Sequence, residues 1–346
     1  MRQRIALTAL ALRPGGGGVQ TYIRELIGAL PGVSDAEFVV SVQADAVAEL
    51  PPTVDARVMP VVAGVRRAAL ALRSPPDVVS VHGLDVALPA RHRVPTVATI
   101  HDLSVFDVPW SFRRRQVVGR RLQLRHAART ADVLIAVSAF TAQRVRERLG
   151  RDATVIPLAP ASDARPPTAT EIAGFRRRYD VPERFVLHVG TTDPRKDVPT
   201  LAAACRQADL PLVLAGTGGT GDGLDGRAQR LGYVPRGDLA ALYGAATIVA
   251  YPSRYEGFGL PPLEAMACGA AVVASGIAPL VDTLGDAAAF VPVQDVDALT
   301  ETLRQLWEDE SHRHALAAAG LIRARRFTWL ETAQRTADVY RSLGVG

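Results

Sequence analysis

The chain of 346 residues has almost no lysine: of its 40 Lys and Arg side chains, Lys196 is the only lysine. Cysteine is nearly as scarce, with Cys205 and Cys268 alone, both in apolar surroundings. Two such thiols exclude a disulfide framework and point to a reducing compartment. Aromatic residues make up 5%, so the cores must be built from Val, Leu and Ala, for which a hydrophobic content of 48% is ample. No apolar run reaches the length of about 18 residues that a membrane span needs, and no solenoid-type repeat is present. Residues 1–12 imitate a signal peptide only faintly. They run into Arg13-Pro14 and four glycines with no convincing cleavage site, so a first β-strand is the better reading. The formal net charge of +5 comes almost wholly from arginine. Such a bias follows from genome composition and gives no argument for nucleic-acid binding.

What is present is a two-domain α/β pattern, the natural arrangement at this length. Apolar strands read at residues 5–12, 38–42, 77–81, 96–100, 132–137, 155–160, 185–190, 212–216, 246–252 and 270–274. Turn or polar residues follow each, as in a parallel sheet whose carboxyl edge carries the loops. Residues 161–170, rich in Pro, Ser and Ala, read as a linker. The expected domains are therefore residues 1–165 and 171–328.

The densest chemistry lies in residues 253–269, Ser-Arg-Tyr-Glu-Gly-Phe-Gly-Leu-Pro-Pro-Leu-Glu-Ala-Met-Ala-Cys-Gly. Gly257 and Gly259 let a backbone approach a ligand closely. Pro261 or Pro262 suits the first helical position and Gly269 the far end. Free N–H groups at that helix start suit a phosphate. Glu256 and Glu264 bracket the loop. Glu264, placed in the first helical turn, can hold the two hydroxyls of a ribose; Glu256 can accept hydrogen bonds from a sugar. Taken singly, Glu264 also reads as a carboxylate offsetting the helix dipole, and Glu256 as a solvated loop residue.

Arg195 and Lys196 sit in another strand-to-helix loop, where adjacent cations would neutralise a diphosphate. Gly15-Gly16-Gly17-Gly18 joins the first strand to a helix whose apolar residues recur at Val19, Ile23, Leu26, Ile27 and Leu30. That loop can admit a phosphate or sugar, or be a plain flexible turn. His82 and His101 each end a strand; His82 reads as a structural or surface residue, and His101 stands in Thr99-Ile100-His101-Asp102-Leu103. Residues 113–129 form a basic helix carrying Arg113, Arg114, Arg115, Arg120, Arg121, Arg125 and Arg129. A solvated face, and a patch that meets anionic lipid headgroups or a lipid-diphosphate acceptor, fit it equally. The glycine-rich loop at 217–223 reads as a turn near a phosphate.

The text from Glu256 to Gly269 resembles the E-x7-E signature of retaining glycosyltransferases of the GT-B fold, in particular the large family 4 group. Further matches are a Pro-Arg-Lys element at 194–196, a helix capped by Ser138, and the His101-Asp102 pair, which resembles an element frequent in mannosyl-transferring members. The resemblance implies two Rossmann-like doubly wound domains facing a central cleft. The first would choose the acceptor and the second would bind the nucleotide sugar. The final helix, within 329–346, would cross back to the first domain. It also implies catalytic roles for His101, Glu256, Arg195 and Lys196. The donor would be held by Gly16, Gly17, Gly18, Arg195, Lys196, Val234, Glu256, Gly257, Phe258, Gly259, Leu260 and Glu264, with the nucleobase packed by Tyr233 and Val234. The chain departs from some relatives at Thr191, where they carry an extra arginine.

No metal or other cofactor is expected, because the cations can do a metal's work. The implied reaction moves a hexose, with GDP-mannose the favoured donor, to a saccharide or lipid-linked acceptor. A soluble small-molecule acceptor is the alternative. The expected location is cytoplasmic, with a peripheral membrane contact through the basic helix. A nicotinamide-dependent oxidoreductase is excluded, because neither glycine cluster supplies Gly-x-Gly-x-x-Gly with an acidic residue about 20 positions on. A non-catalytic binding protein would not need all five of Glu256, Glu264, Arg195, Lys196 and His101.

Overall fold

The computed structural model describes residues 2–15, 17–52, 54–62, 77–89, 92–217 and 227–345. The chain divides into two compact units, Met1–Leu158 with Thr328–Gly346, and Ala159–Phe327.

In the first unit the elements run β1 (Arg4–Thr8), α1 (Gly18–Ala29), β2 (Glu37–Gln43), β3 (Asp55–Met59), β4 (Ser80–Gly83), β5 (Thr96–Ile100), α2 (Ser104–Asp107), α3 (Arg114–Thr130), β6 (Val133–Ala136), α4 (Ala139–Leu149) and β7 (Thr154–Val155). The sheet is parallel in the order β3-β2-β1-β4-β5-β6-β7. Strands buried on both faces must be apolar at nearly every position. β4 and β5 are entirely buried, and their polar residues Ser80, His82, Thr96 and Thr99 are all hydrogen-bonded.

In the second unit come α5 (Ala169–Tyr179), β8 (Val186–Val189), α6 (Val198–Ala208), β9 (Leu212–Ala215), β10 (Gln229–Gly232), α7 (Arg236–Ala245), β11 (Ile248–Tyr251), α8 (Leu260–Ala267), β12 (Val272–Ser275), α9 (Ala278–Leu284), β13 (Ala289–Val291), α10 (Val296–Glu308) and α11 (Glu310–Ala324). This sheet is also parallel, in the order β10-β9-β8-β11-β12-β13. Leu201, Cys205, Leu299 and Leu303 from α6 and α10 pack on Val186, Ile248 and Val273. In both sheets the strand order reverses at one point, between β1 and β4 and between β8 and β11. Open α/β sheets bind ligands at the carboxyl ends beside such a reversal.

The last helix, α12 (Trp329–Ser342), belongs to the first unit. Tyr340 Oη lies 2.7 Å from His82 Nδ1, and Thr332 Oγ1 donates to the Pro157 carbonyl at 2.8 Å.

Several boundaries differ from the sequence reading. The run 5–12 is a strand only to Thr8; Ala9, Leu10 and Leu12 continue it as a buried turn closed by Leu12 N–H to Ala9 O. Apolar character reports burial, which a turn shares with a strand. The strand expected at 77–81 is β4, shifted towards Gly83, with Asp77 at φ +58° before it. The expected linker belongs to the second unit, because Asp163 and Arg165 form ion pairs with Arg236 and Glu171. The Gly218–Gly223 part of the loop at 217–223 lies outside the described residues. Among the described residues no helix is long and apolar enough to cross a membrane.

Candidate active site

The loops that follow β8 and β11 meet at the reversal point of the second sheet. The first turns through Pro194–Lys196 in a 3-10 conformation and places Asp197 at φ +52° before α6. The second carries Ser253 to Gly259 into α8. A backbone hydrogen bond from Arg254 N–H to the Arg195 carbonyl, 2.8 Å, ties the two loops together.

This contact brings the predicted cations onto the predicted carboxylate. Lys196 Nζ donates to Glu256 Oε1 at 2.5 Å, and Ser253 Oγ donates to the same oxygen at 2.8 Å. Arg195 Nη1 lies 3.5 Å from Glu256 Oε2 and donates to the Tyr255 carbonyl at 3.1 Å. Lys196 and Glu256 are 8% and 7% exposed, so Glu256 is not the solvated loop carboxylate that it resembles in isolation. Burial by itself raises the Glu256 carboxyl pKa. The positive charges of Lys196 and Arg195, with the hydrogen bonds from Lys196 and Ser253, outweigh that and hold it below its ordinary value. The cluster therefore carries two cations against one carboxylate. Charges so deeply placed are tolerated only when paired.

Gly259 precedes α8 at φ +97°, a conformation that glycine adopts without strain. A Cβ there would stand 2.5 Å from Leu280 Cδ2. Pro261 is the second helical residue and Gly269 follows the helix at φ +79°. Glu264 is the fifth residue of α8, with no acidic side chain in the first turn, which corrects its expected placement. The helix begins one residue before the prolines, because Gly259 makes the turn that starts it. Phe258 and Leu260 are buried, Phe258 edge-on to Phe327 with ring centroids 5.8 Å apart, so their side chains serve the core. Val234 is buried and its neighbour Tyr233 half-exposed.

His188 on β8 is a site residue that strand patterning passes over. Its Nδ1–H donates to the Ala250 carbonyl at 3.0 Å, which leaves Nε2 as an acceptor, buried and without a partner. It lines a cavity of about 280 Å³ with Gly190, Thr192, Gly216, Thr217 and Gly232 at the carboxyl ends of β8, β9 and β10. Burial lowers its pKa to about 4, so the ring is neutral. The signal in the sequence is a lone polar residue in an apolar strand.

In the first unit His101 ends β5. Its Nε2 lies 3.0 Å from the Leu84 carbonyl, and its ring meets Tyr22 edge-on at 4.8 Å. Burial lowers its pKa, and with Nε2–H committed to Leu84 the neutral ring keeps Nδ1 as an acceptor. Asp102 Oδ1 accepts from Ser104 N–H and Oγ at 2.9 and 2.5 Å. His82 is fully buried, between Tyr340 Oη and Thr99 Oγ1, and Thr99 also bonds Tyr22 Oη at 2.8 Å. Its role is structural. Gly17 precedes α1 and Gly18 opens it, with open space around the Gly17 Cα; Gly16 lies outside the described residues. Among the described residues no group of three His, Cys, Asp or Glu side chains could hold a metal ion.

Two parallel α/β sheets with charged loops at a strand-order reversal define the class: this is the GT-B fold of glycosyltransferases. Sucrose-phosphate synthase from Thermosynechococcus elongatus superposes with a TM-score of 0.78 at 24% identity, covering 99% of both chains. Anabaena HepE, solved in complex with UDP-glucose, gives 0.77 at 20% identity, covering 99% of this chain and 100% of that one. Residues 16–159 match the model of Glycosyltransferase Family 4, and residues 173–322 that of glycosyl transferases group 1. The O-antigen chain mannosyltransferase B of Escherichia coli is 34% identical over 299 residues, covering 80% of this chain and 78% of that protein. The chain belongs to the family 4, group 1 glycosyltransferases and is a sugar-transferring enzyme.

Proposed function

We propose that the protein transfers mannose from GDP-mannose, with retention of anomeric configuration, to a hydroxyl of a saccharide or lipid-linked acceptor. The observation that carries the donor reading is the Lys196–Glu256–Arg195 cluster at the β8/β11 reversal. In the reaction the bond from the anomeric carbon to the diphosphate oxygen breaks. The acceptor hydroxyl oxygen takes its place and its proton passes to the departing diphosphate oxygen, which leaves with the electron pair. Arg195 and Lys196 offset the charge that develops on it, and the N-terminus of α8 adds its dipole. Glu256, fixed by Lys196 and Ser253, keeps acceptor capacity for hydroxyls of the transferred sugar. Glu264 holds the ribose hydroxyls. His101, neutral, offers Nδ1 to a sugar hydroxyl. No metal is assigned a part. The mannosyl preference is supported by the His101-Asp102 element and by the likeness to the O-antigen mannosyltransferase. A lipid-linked acceptor would bring the enzyme to the inner membrane face, with the basic arginines as its contact.

The test is a thermal-shift panel of GDP, UDP, dTDP and ADP with their hexose conjugates. A ligand at 100 times its Kd stabilises by about 2.7 kcal/mol. The expected result is a clear shift with GDP and GDP-mannose that Glu264→Ala abolishes. A shift with another nucleotide alone would overturn the donor assignment, and its survival in Glu264→Ala would overturn the site.

A further inference from the structure

Helix α3 contains no acidic residue in Arg-Arg-Gln-Val-Val-Gly-Arg-Arg-Leu-Gln-Leu-Arg-His-Ala-Ala-Arg-Thr. Its buried side is Val117, Leu124, Ala127 and Ala128, which pack into the unit. At about 100° per residue, the side turned away from it carries Arg114, Arg125, Val118, Arg129, Leu122 and Arg115 in order around the helix, with His126 and Gly119 beyond Arg115. The first six are all exposed. Val118 and Leu122, 53% and 60% exposed, stand one turn apart between those arginines. An ordinary solvated helix would place polar residues at these two positions. The flanking arginines are not spent on carboxylates in the way those of α4 are. Arg144 and Arg148 there pair with Asp107, and Arg146 with Asp152. Among the described residues, the ion pair of α3 is Arg120 with Asp85 at 3.6 Å, and Arg120 lies at the edge of the exposed side. Arg125 rests over the Phe106 ring, 5.5 Å away, which orients its charge without neutralising it.

We propose that this side of α3 docks flat on an anionic lipid bilayer, with Val118 and Leu122 entering the boundary between headgroups and acyl chains and the arginines holding lipid phosphates around them. An apolar centre ringed by one sign of charge is the arrangement of an interfacial helix. Charge alone would serve any polyanion; the two central aliphatic side chains select a surface with a hydrocarbon layer beneath it. The inference deepens the lipid-linked acceptor reading and rests on it only for its purpose, since docking is measured without donor or acceptor. Each arginine contributes about fivefold in partitioning to an anionic surface, screened by salt within a Debye length. Each inserted aliphatic side chain contributes about tenfold or more, which salt does not screen.

The experiment is co-sedimentation of the full chain with vesicles of phosphatidylcholine containing phosphatidylglycerol, and with pure phosphatidylcholine, at low and high salt. Three proteins are compared: wild type, Arg114→Gln/Arg115→Gln/Arg129→Gln, and Val118→Gln/Leu122→Gln. All substitutions are at exposed positions, and circular dichroism checks the fold. Wild type should bind only the anionic vesicles and keep a salt-resistant fraction. The arginine variant should lose about a hundredfold at low salt. The apolar variant should bind at low salt and lose the salt-resistant fraction. No binding by wild type, or equal salt-resistant binding by the apolar variant, overturns the proposal. Sugar transfer to a soluble acceptor would still stand or fall separately.

Discussion

Lys196 and Glu256 are buried together, and separating them should cost more than removing both. At 2.5 Å, with an effective dielectric of about 20, their gross attraction is about 7 kcal/mol, against which stands the cost of taking both from water. Lys196→Met leaves Glu256 with Ser253 and with Arg195 at 3.5 Å, a partial replacement. About 1–3 kcal/mol of stability should be lost. Glu256→Gln removes the carboxylate charge that Lys196 and Arg195 share, and about 3 kcal/mol or more should go. The double variant removes the buried charge pair, and its loss should fall about 2 kcal/mol short of the sum of the singles. For a unit of this size each kcal/mol moves the melting temperature by about 2–4 °C, so calorimetry on the four proteins resolves the cycle. Donor turnover should fall more than tenfold in all three variants, over about 1.4 kcal/mol of transition-state stabilisation. Additive stability losses would refute the pairing argument. Near-normal turnover in the folded double variant would refute the catalytic one.

Three further outcomes are expected. His82 and His188, with pKa values lowered by burial to about 3 and about 4, bind protons more readily unfolded than folded. Their stability contribution is complete well above pH 6.5 and falls with pH from about 6.5 down to about 4 for His188 and about 3 for His82. Going from pH 7.5 to 5.0 should cost about 2 kcal/mol for each, and a flat urea midpoint over that range would contradict it. Tyr340→Phe leaves His82 Nδ1 without its partner in a dry core, at a cost of about 1–3 kcal/mol; an unchanged denaturant midpoint would remove Tyr340 from the network. Gly259→Ala combines a positive φ with a Cβ 2.5 Å from Leu280 Cδ2. It should lose about 1–3 kcal/mol and weaken nucleotide binding, measured by calorimetry; wild-type stability and affinity would show that the turn is not constrained.

The sequence by itself determined the fold class. Apolar strands alternating with helices make parallel sheets covered on both faces, the turn residues mark where each strand ends, and the resemblance of residues 256–269 to the E-x7-E signature named the GT-B form. It also picked out the glycine-bearing turn before α8, because Gly259 occupies a conformation that side chains resist. Capping was legible at Ser138, whose Oγ accepts from Thr141 N–H as local spacing requires. The tertiary structure alone decided which charges meet. Lys196 and Glu256 are 60 positions apart, and nothing local to either tells that β8 and β11 are neighbours. The pairing turned a loop carboxylate that looked solvated into a buried one. The same holds for His82, whose partner Tyr340 lies 258 positions away on α12, and for His188, whose Nδ1 meets the Ala250 carbonyl 62 positions away on β11. Local chemistry is written in neighbouring residues; electrostatic environment is set by strand order, which brings together residues that the chain keeps far apart.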